Sequence, residues 1–140
     1  MRFMIMVRAN AQSESSEPPA DEEIFAEMAR YHEDLAKAGV LLDATGLQPS
    51  SRGFRVRYKD GKPTVVDGPY AETKELIAGY TLIQVRSRDE AVEWARRFPA
   101  PFGKHVDGEI EVRQLYELDD FPKSEGIESF RKLKEQLKQS

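Results

Sequence analysis

The side chains best equipped for chemistry crowd into one stretch, Asp67-Gly68-Pro69-Tyr70-Ala71-Glu72-Thr73-Lys74-Glu75. It offers carboxylates, a phenol and an ammonium within a short span, the donors and acceptors that bind a polar molecule or move a proton. The same letters also spell a turn. Asp-Gly-Pro makes a tight bend in which Asp67 accepts local backbone hydrogen bonds and Pro69 fixes the exit direction. A turn alone does not require Tyr70, Glu72 and Lys74, so these three are candidate ligand-binding residues and Asp67 is a candidate proton-transfer group.

His32 is a second candidate for moving a proton. Its spacing from Met28 and Leu35 turns it inward from a helix, where a buried, hydrogen-bonded histidine is the ordinary outcome and acid–base work the chemical one. Tyr31 beside it reads either as core or as a ligand contact. His105, in the polar segment Gly103 to Glu109, faces solvent. Arg52, Arg55 and Arg57 form a local basic patch near Ser50 and Ser51, with Arg55 and Arg57 on one face of a strand. Such a patch protects a sheet edge or holds an anion.

With two histidines and no cysteine the chain is poorly supplied for zinc, and neither a metal nor a cofactor is expected. A Gly-rich phosphate loop, a G-x-S-x-G elbow and an H-E-x-x-H helix are all absent from the sequence.

The elements that must position these groups follow from periodicity. Arg2 to Arg8 alternates Phe3, Ile5 and Val7 with Met4 and Met6, as in a central strand covered on both sides. Ala9 to Ala20 has nothing apolar enough to bury and reads as a mobile loop. Asp21 caps a helix closed by Gly39, with Ile24, Met28, Tyr31, His32 and Leu35 as its inward stripe. Val40 to Leu47 is a strand. Phe54, Val56 and Tyr58 lead into the Asp60-Gly61 turn and a return strand, Thr64 to Val66, and Pro63 argues for a sheet edge. Gly79 to Arg86 is the next strand. Ser87 and Glu90 box the start of a helix carrying Ala91, Trp94, Ala95 and Phe98 inward and ended by Pro99 and Pro101. The alternation of Ile110, Val112, Gln114 and Tyr116 gives the last strand.

Without the hairpin the order is strand, helix, strand, strand, helix, strand, which is the α+β, ferredoxin-like split βαβ arrangement. Both helices then cover one sheet face, and Met4 and Met6 leave the other apolar and in need of a partner. A homodimer joined through these faces is expected. Past Phe121 the composition changes, and Ser124 to Lys138 is a charged helix with Ile127, Phe130, Leu133 and Leu137 along one stripe, an extra C-terminal helix that needs a docking surface. The partner subunit is the expected one.

Composition fits this picture. The 140 residues suffice for one core, and 39% hydrophobic against 33% charged residues describe a globular chain. Twenty-one basic and 25 acidic residues leave a net charge of -4, so no positive field draws in nucleic acid or an anionic membrane. The opening residues lack the shape of a signal peptide and no apolar run reaches membrane-spanning length, which makes the cytoplasm the expected location.

Several stretches together resemble the YCII-related family in its DGPF branch: AGVLL followed by GLQPSS, the RVR strand with its Asp-Gly turn, VVDGPYAETKELIAGY, and DEAVEWARRFP with EIEVRQLYE. Tyr70 stands where the name-giving motif has phenylalanine. The resemblance covers residues 1–121 and leaves 122–140 as an extension. It implies a ferredoxin-like domain with an inserted β-hairpin that pairs into a dimeric α+β barrel. For function it implies less: most DGPF proteins are uncharacterised, some occur beside extracytoplasmic-function sigma factors, and a related member of the wider superfamily removes chloride from an aromatic ring. Smaller YCII-type proteins are proposed to use a histidine on the first helix with an aspartate after the second. Met28 and Phe98 occupy those places here, so the dyad is not reproduced, and His32 lies one helical turn further on.

Two functions are therefore expected in competition. One is a cofactor-independent enzyme acting on a small polar or aromatic molecule, with Asp67 or His32 moving a proton and Tyr31, Tyr70, Glu72 and Lys74 holding the substrate. The alternative is a non-catalytic ligand-binding or regulatory module tied to a sigma-factor system.

Overall fold

Alternation along β1 (Arg2–Arg8) sorts its side chains into a buried set, Phe3 and Ile5, and a half-buried set, Met4 and Met6. The computed structural model, which describes residues 1–138, continues with α1 (Glu22–Lys37), β2 (Leu41–Gly46), β3 (Phe54–Lys59), β4 (Lys62–Asp67), β5 (Ile77–Gln84), α2 (Arg88–Arg96), β6 (Ile110–Gln114) and α3 (Glu125–Lys138). Four strands form an antiparallel sheet in the order β2-β5-β1-β6. With α1 and α2 linking them, this is the ferredoxin-like arrangement.

Directly opposed residues of antiparallel strands share a face. Phe3 lies opposite Ile83 and Ile5 opposite Thr81, and this face meets Tyr31 and Leu35 of α1 and Ala91 of α2 in the core. Each large side chain buried there contributes on the order of 1.5–3 kcal/mol. The helices are held by the expected caps. The Asp21 carboxylate accepts from the amides of Glu23 and Ile24, Gly39 takes φ +75°, and the Ser87 hydroxyl accepts from the Glu90 amide.

The hairpin departs from expectation. Instead of lengthening the edge of the main sheet, β3 and β4 form a separate two-stranded sheet. Its return strand is also longer than Thr64 to Val66. The turn is as read: Asp60 and Gly61 both adopt positive φ, 52° and 76°, which matches the twist of a tight hairpin. Pro63 pairs with Tyr58 inside this ribbon, where a missing amide is tolerated because both strands are edges.

The tail is a helix from Glu125, seated against the 3-10 turn Leu118–Asp120. Arg131 there meets Asp119 at 3.1 Å.

Candidate functional site

The Asp-Gly-Pro-Tyr stretch folds into a clasp around Ser50. The peptide between Gly68 and Pro69 is cis, and an ideal Cβ on Gly68 would fall 1.9 Å from the Ser50 carbonyl oxygen, so only glycine fits. The Tyr70 amide donates to the Ser50 hydroxyl at 3.1 Å. The Ser50 hydroxyl in turn donates to Glu14, whose carboxylate also accepts from the Ser50 amide at 2.8 Å. Tyr70 donates its hydroxyl to the Val66 carbonyl at 2.6 Å, and the Arg55 guanidinium lies 3.6 Å from the centre of its ring. That stacking is worth about 0.5–2 kcal/mol, depending on desolvation.

The loop expected to move freely is thus tied down at Glu14, and the arginine patch is in part the cation over Tyr70. Sequence reading missed Glu14 and Ser50. Their meeting joins residues 36 positions apart, and no local pattern announces it.

The remaining motif residues do not converge. Asp67, Glu72 and Lys74 are exposed, and among the described residues no hydrogen bond or ion pair joins their side chains to one another. Lys74 enters through its backbone, with its carbonyl accepting from the Arg8 guanidinium.

His32 faces the sheet, as its spacing requires. Nδ1 lies 2.7 Å from the Met28 carbonyl oxygen and Nε2 lies 2.8 Å from the Thr81 hydroxyl. A carbonyl only accepts, so Nδ1 donates to Met28, while Nε2 meets a hydroxyl that is able either to give or to take the second hydrogen bond. The edges of Tyr31 and Phe98 enclose the ring. Tyr31 itself belongs to the core: its hydroxyl donates to the Trp94 carbonyl at 2.6 Å, and burial pushes its pKa up to about 12. Its one donor is engaged within the protein.

A third cluster lies on the sheet face that the helices leave open. Register places Met4 beside Leu82 and Arg113, and Met6 beside Tyr80 and Glu111. Around this apolar centre stand three polar pairs. Tyr80 donates to Asp43 at 2.9 Å, and because the carboxylate holds the phenolic proton, the Tyr80 pKa is raised. Arg8 meets Glu111 at 3.3 Å. Arg2 meets Glu117 at 2.8 Å, and this hydrogen-bonded pairing holds the Glu117 carboxyl below its usual range. Alternation along Gly79 to Leu82 placed Tyr80 on this face in principle. The partner Asp43 sits beside a bulge, where β2 shifts register between Leu41 and Asp43, and a bulge is invisible in the letters.

A separate apolar groove of about 330 Å³ runs between α2 and β6, lined by Phe3, Ala91, Val92, Ala95, Ile110 and Val112 with Arg88 and Arg96. None of the motif residues reaches it. Among the described residues, no group of three or more histidine, aspartate or glutamate side chains is placed to hold a metal ion. Nor is any helix there long and apolar enough to cross a membrane.

Comparison with known proteins finds matches over most of the chain. The YCII-related domain matches residues 1–119. An uncharacterized protein of Rhizobium meliloti (strain 1021) is 30% identical over 102 residues, covering 73% of this chain and 82% of that protein. The family match stops before α3.

Proposed function

Because the chain belongs to the YCII-related family, we propose that it works as a homodimer whose open sheet faces enclose a small polar ligand, with binding and not turnover as its task. The observation that carries this reading is the open face itself: a centre of Met4, Met6 and Leu82 ringed by Tyr80–Asp43, Arg8–Glu111 and Arg2–Glu117. An apolar centre inside a rim that carries both signs of charge is complementary to a second copy of itself, as a two-fold interface must be. Tyr80 and Asp43 are the polar groups such an interface would present to a molecule held within it. Binding is favoured over catalysis because Tyr31, Tyr70 and His32 each direct their polar atoms to partners inside the chain. A regulatory form of the same role, linked to a sigma-factor system, rests on family resemblance alone.

The test is a ligand-observed NMR screen with a set of small amines, phenols and carboxylates. Binders should be lost in Tyr80→Phe or Asp43→Asn and kept in Asp67→Asn and Glu72→Gln. Binders lost in Asp67→Asn and indifferent to Tyr80 would overturn the reading.

One geometry favours the second reading, proton transfer. His32 is oriented by the Nδ1 hydrogen bond to the Met28 carbonyl and sets Nε2 against the Thr81 hydroxyl, the arrangement from which an imidazole base works. Turnover of any small substrate by wild type that is abolished in His32→Gln and kept in Tyr80→Phe would favour it.

A further inference from the structure

We infer that the hairpin is a dimer arm, and that its exposed apolar face receives α3 of a second copy. The pattern of the ribbon comes first. Phe54 opposes Asp67, Val56 opposes Val65, and Tyr58 opposes Pro63, so these six share one face. Arg55 and Val66 lie on the other face, where Arg55 stacks on Tyr70 and Val66 holds the Tyr70 hydroxyl. The clasp thus fixes which way the hairpin turns. Arg55 and Val66 are half-buried near its base, and on the opposite face Phe54, Tyr58 and Val65 are left 65%, 75% and 63% exposed. Alternating strands put an apolar face outward only at a cost that something must offset.

On α3, Phe130 and Leu133 are 57% and 48% exposed and lie on the stripe that begins at Ile127. A helix this short is marginal in water without such a face being covered. The two surfaces fit in length. Fourteen helical residues span about 21 Å and six strand residues about 20 Å.

The two surfaces cannot meet within one chain. The hairpin leaves the sheet from the Gly46 and Ile77 ends of β2 and β5, whereas α3 follows β6 at the end where Gln114 pairs with Phe3. These are opposite ends and opposite sides of the sheet, and Arg2–Glu117 and Arg131–Asp119 keep the tail at its corner. A two-fold axis between two facing sheets, laid along the other diagonal, brings each α3 over the partner's hairpin and crosses the sheets near a right angle. The arrangement rests on the face-to-face dimer proposed above.

The test is sedimentation equilibrium on the full chain with Leu133→Glu, Val65→Glu and the double variant, all at exposed positions, with circular dichroism to check folding. Each single change should raise the dimer dissociation constant about tenfold or more, and the double variant little beyond either alone, because both remove the same contact. A wild-type dimer whose dissociation constant ignores these changes, or in which their effects multiply, would overturn the helix-on-hairpin contact while leaving the sheet-face dimer standing. A wild-type chain that stays monomeric would remove both.

Discussion

The carbonyl oxygen of Ser50 stands so close to Gly68 that a Cβ there would lie 1.9 Å away. Backbone atoms cannot yield as a flexible side chain can, so Gly68→Ala must open the clasp. The expected loss is about 2 kcal/mol or more of unfolding free energy, read from urea denaturation. An unchanged midpoint in the Gly68→Ala variant would show that the clasp is not built this way. Ser50→Ala removes the hydroxyl shared by Glu14 and Tyr70 and should cost less, about 1 kcal/mol.

His32 and Thr81 give a second prediction. Thr81 is buried, and Thr81→Val keeps its shape while depriving Nε2 of its partner. The loss should be about 1–3 kcal/mol, with the imidazole nitrogen resonances showing whether Nδ1 keeps its proton. A variant as stable as wild type would mean that the ring finds another acceptor or donor.

Tyr31 makes stability depend on alkaline pH. Its folded pKa of about 12 lies above the ordinary 10.0, so the unfolded chain loses this proton first as pH rises. The stabilisation is therefore complete below pH 10 and disappears progressively toward pH 12, by about 1–3 kcal/mol in all. Tyr31→Phe should be less stable at neutral pH by about 1 kcal/mol, from the lost bond to Trp94, yet decline less across the alkaline window. Parallel wild-type and variant profiles would contradict the burial of this hydroxyl.

Much of the fold was legible because local signals agreed. Asp21, Gly39, Ser87 and the Asp60-Gly61 turn punctuate the chain where the structure does, and the alternation of Phe3 and Ile5 with Met4 and Met6 separates the two sheet faces. The candidate site was legible only in part. The letters Asp67 to Glu75 carry polar chemistry, but whether Tyr70 points to a ligand or to the Val66 carbonyl depends on the fold around it. Glu14 with Ser50, and Tyr80 with Asp43, are long-range pairs that periodicity cannot express. The hairpin parts from the sheet edge because the clasp holds it by Arg55 and Val66, and neither contact has a local signature.

Asp67, Glu72 and Lys74 yield a contrasting prediction. Exposed side chains outside any network change stability little, so Glu72→Gln and Lys74→Met should each stay within about 0.5 kcal/mol of wild type. Asp67→Asn should do the same. Loss of folding in any of the three would show a contact the exposed positions do not suggest.

Sedimentation velocity on the full chain at micromolar concentration, comparing wild type with Met6→Glu, bears most directly on the open sheet face as a dimer interface. A glutamate at the half-buried centre of that face would place two like charges close together across the two-fold axis. Wild type should sediment at twice the chain mass and the Met6→Glu protein at the single-chain mass, with its circular dichroism unchanged. A wild-type chain that remains single at every concentration, or a Met6→Glu dimer as tight as wild type, would contradict the interface.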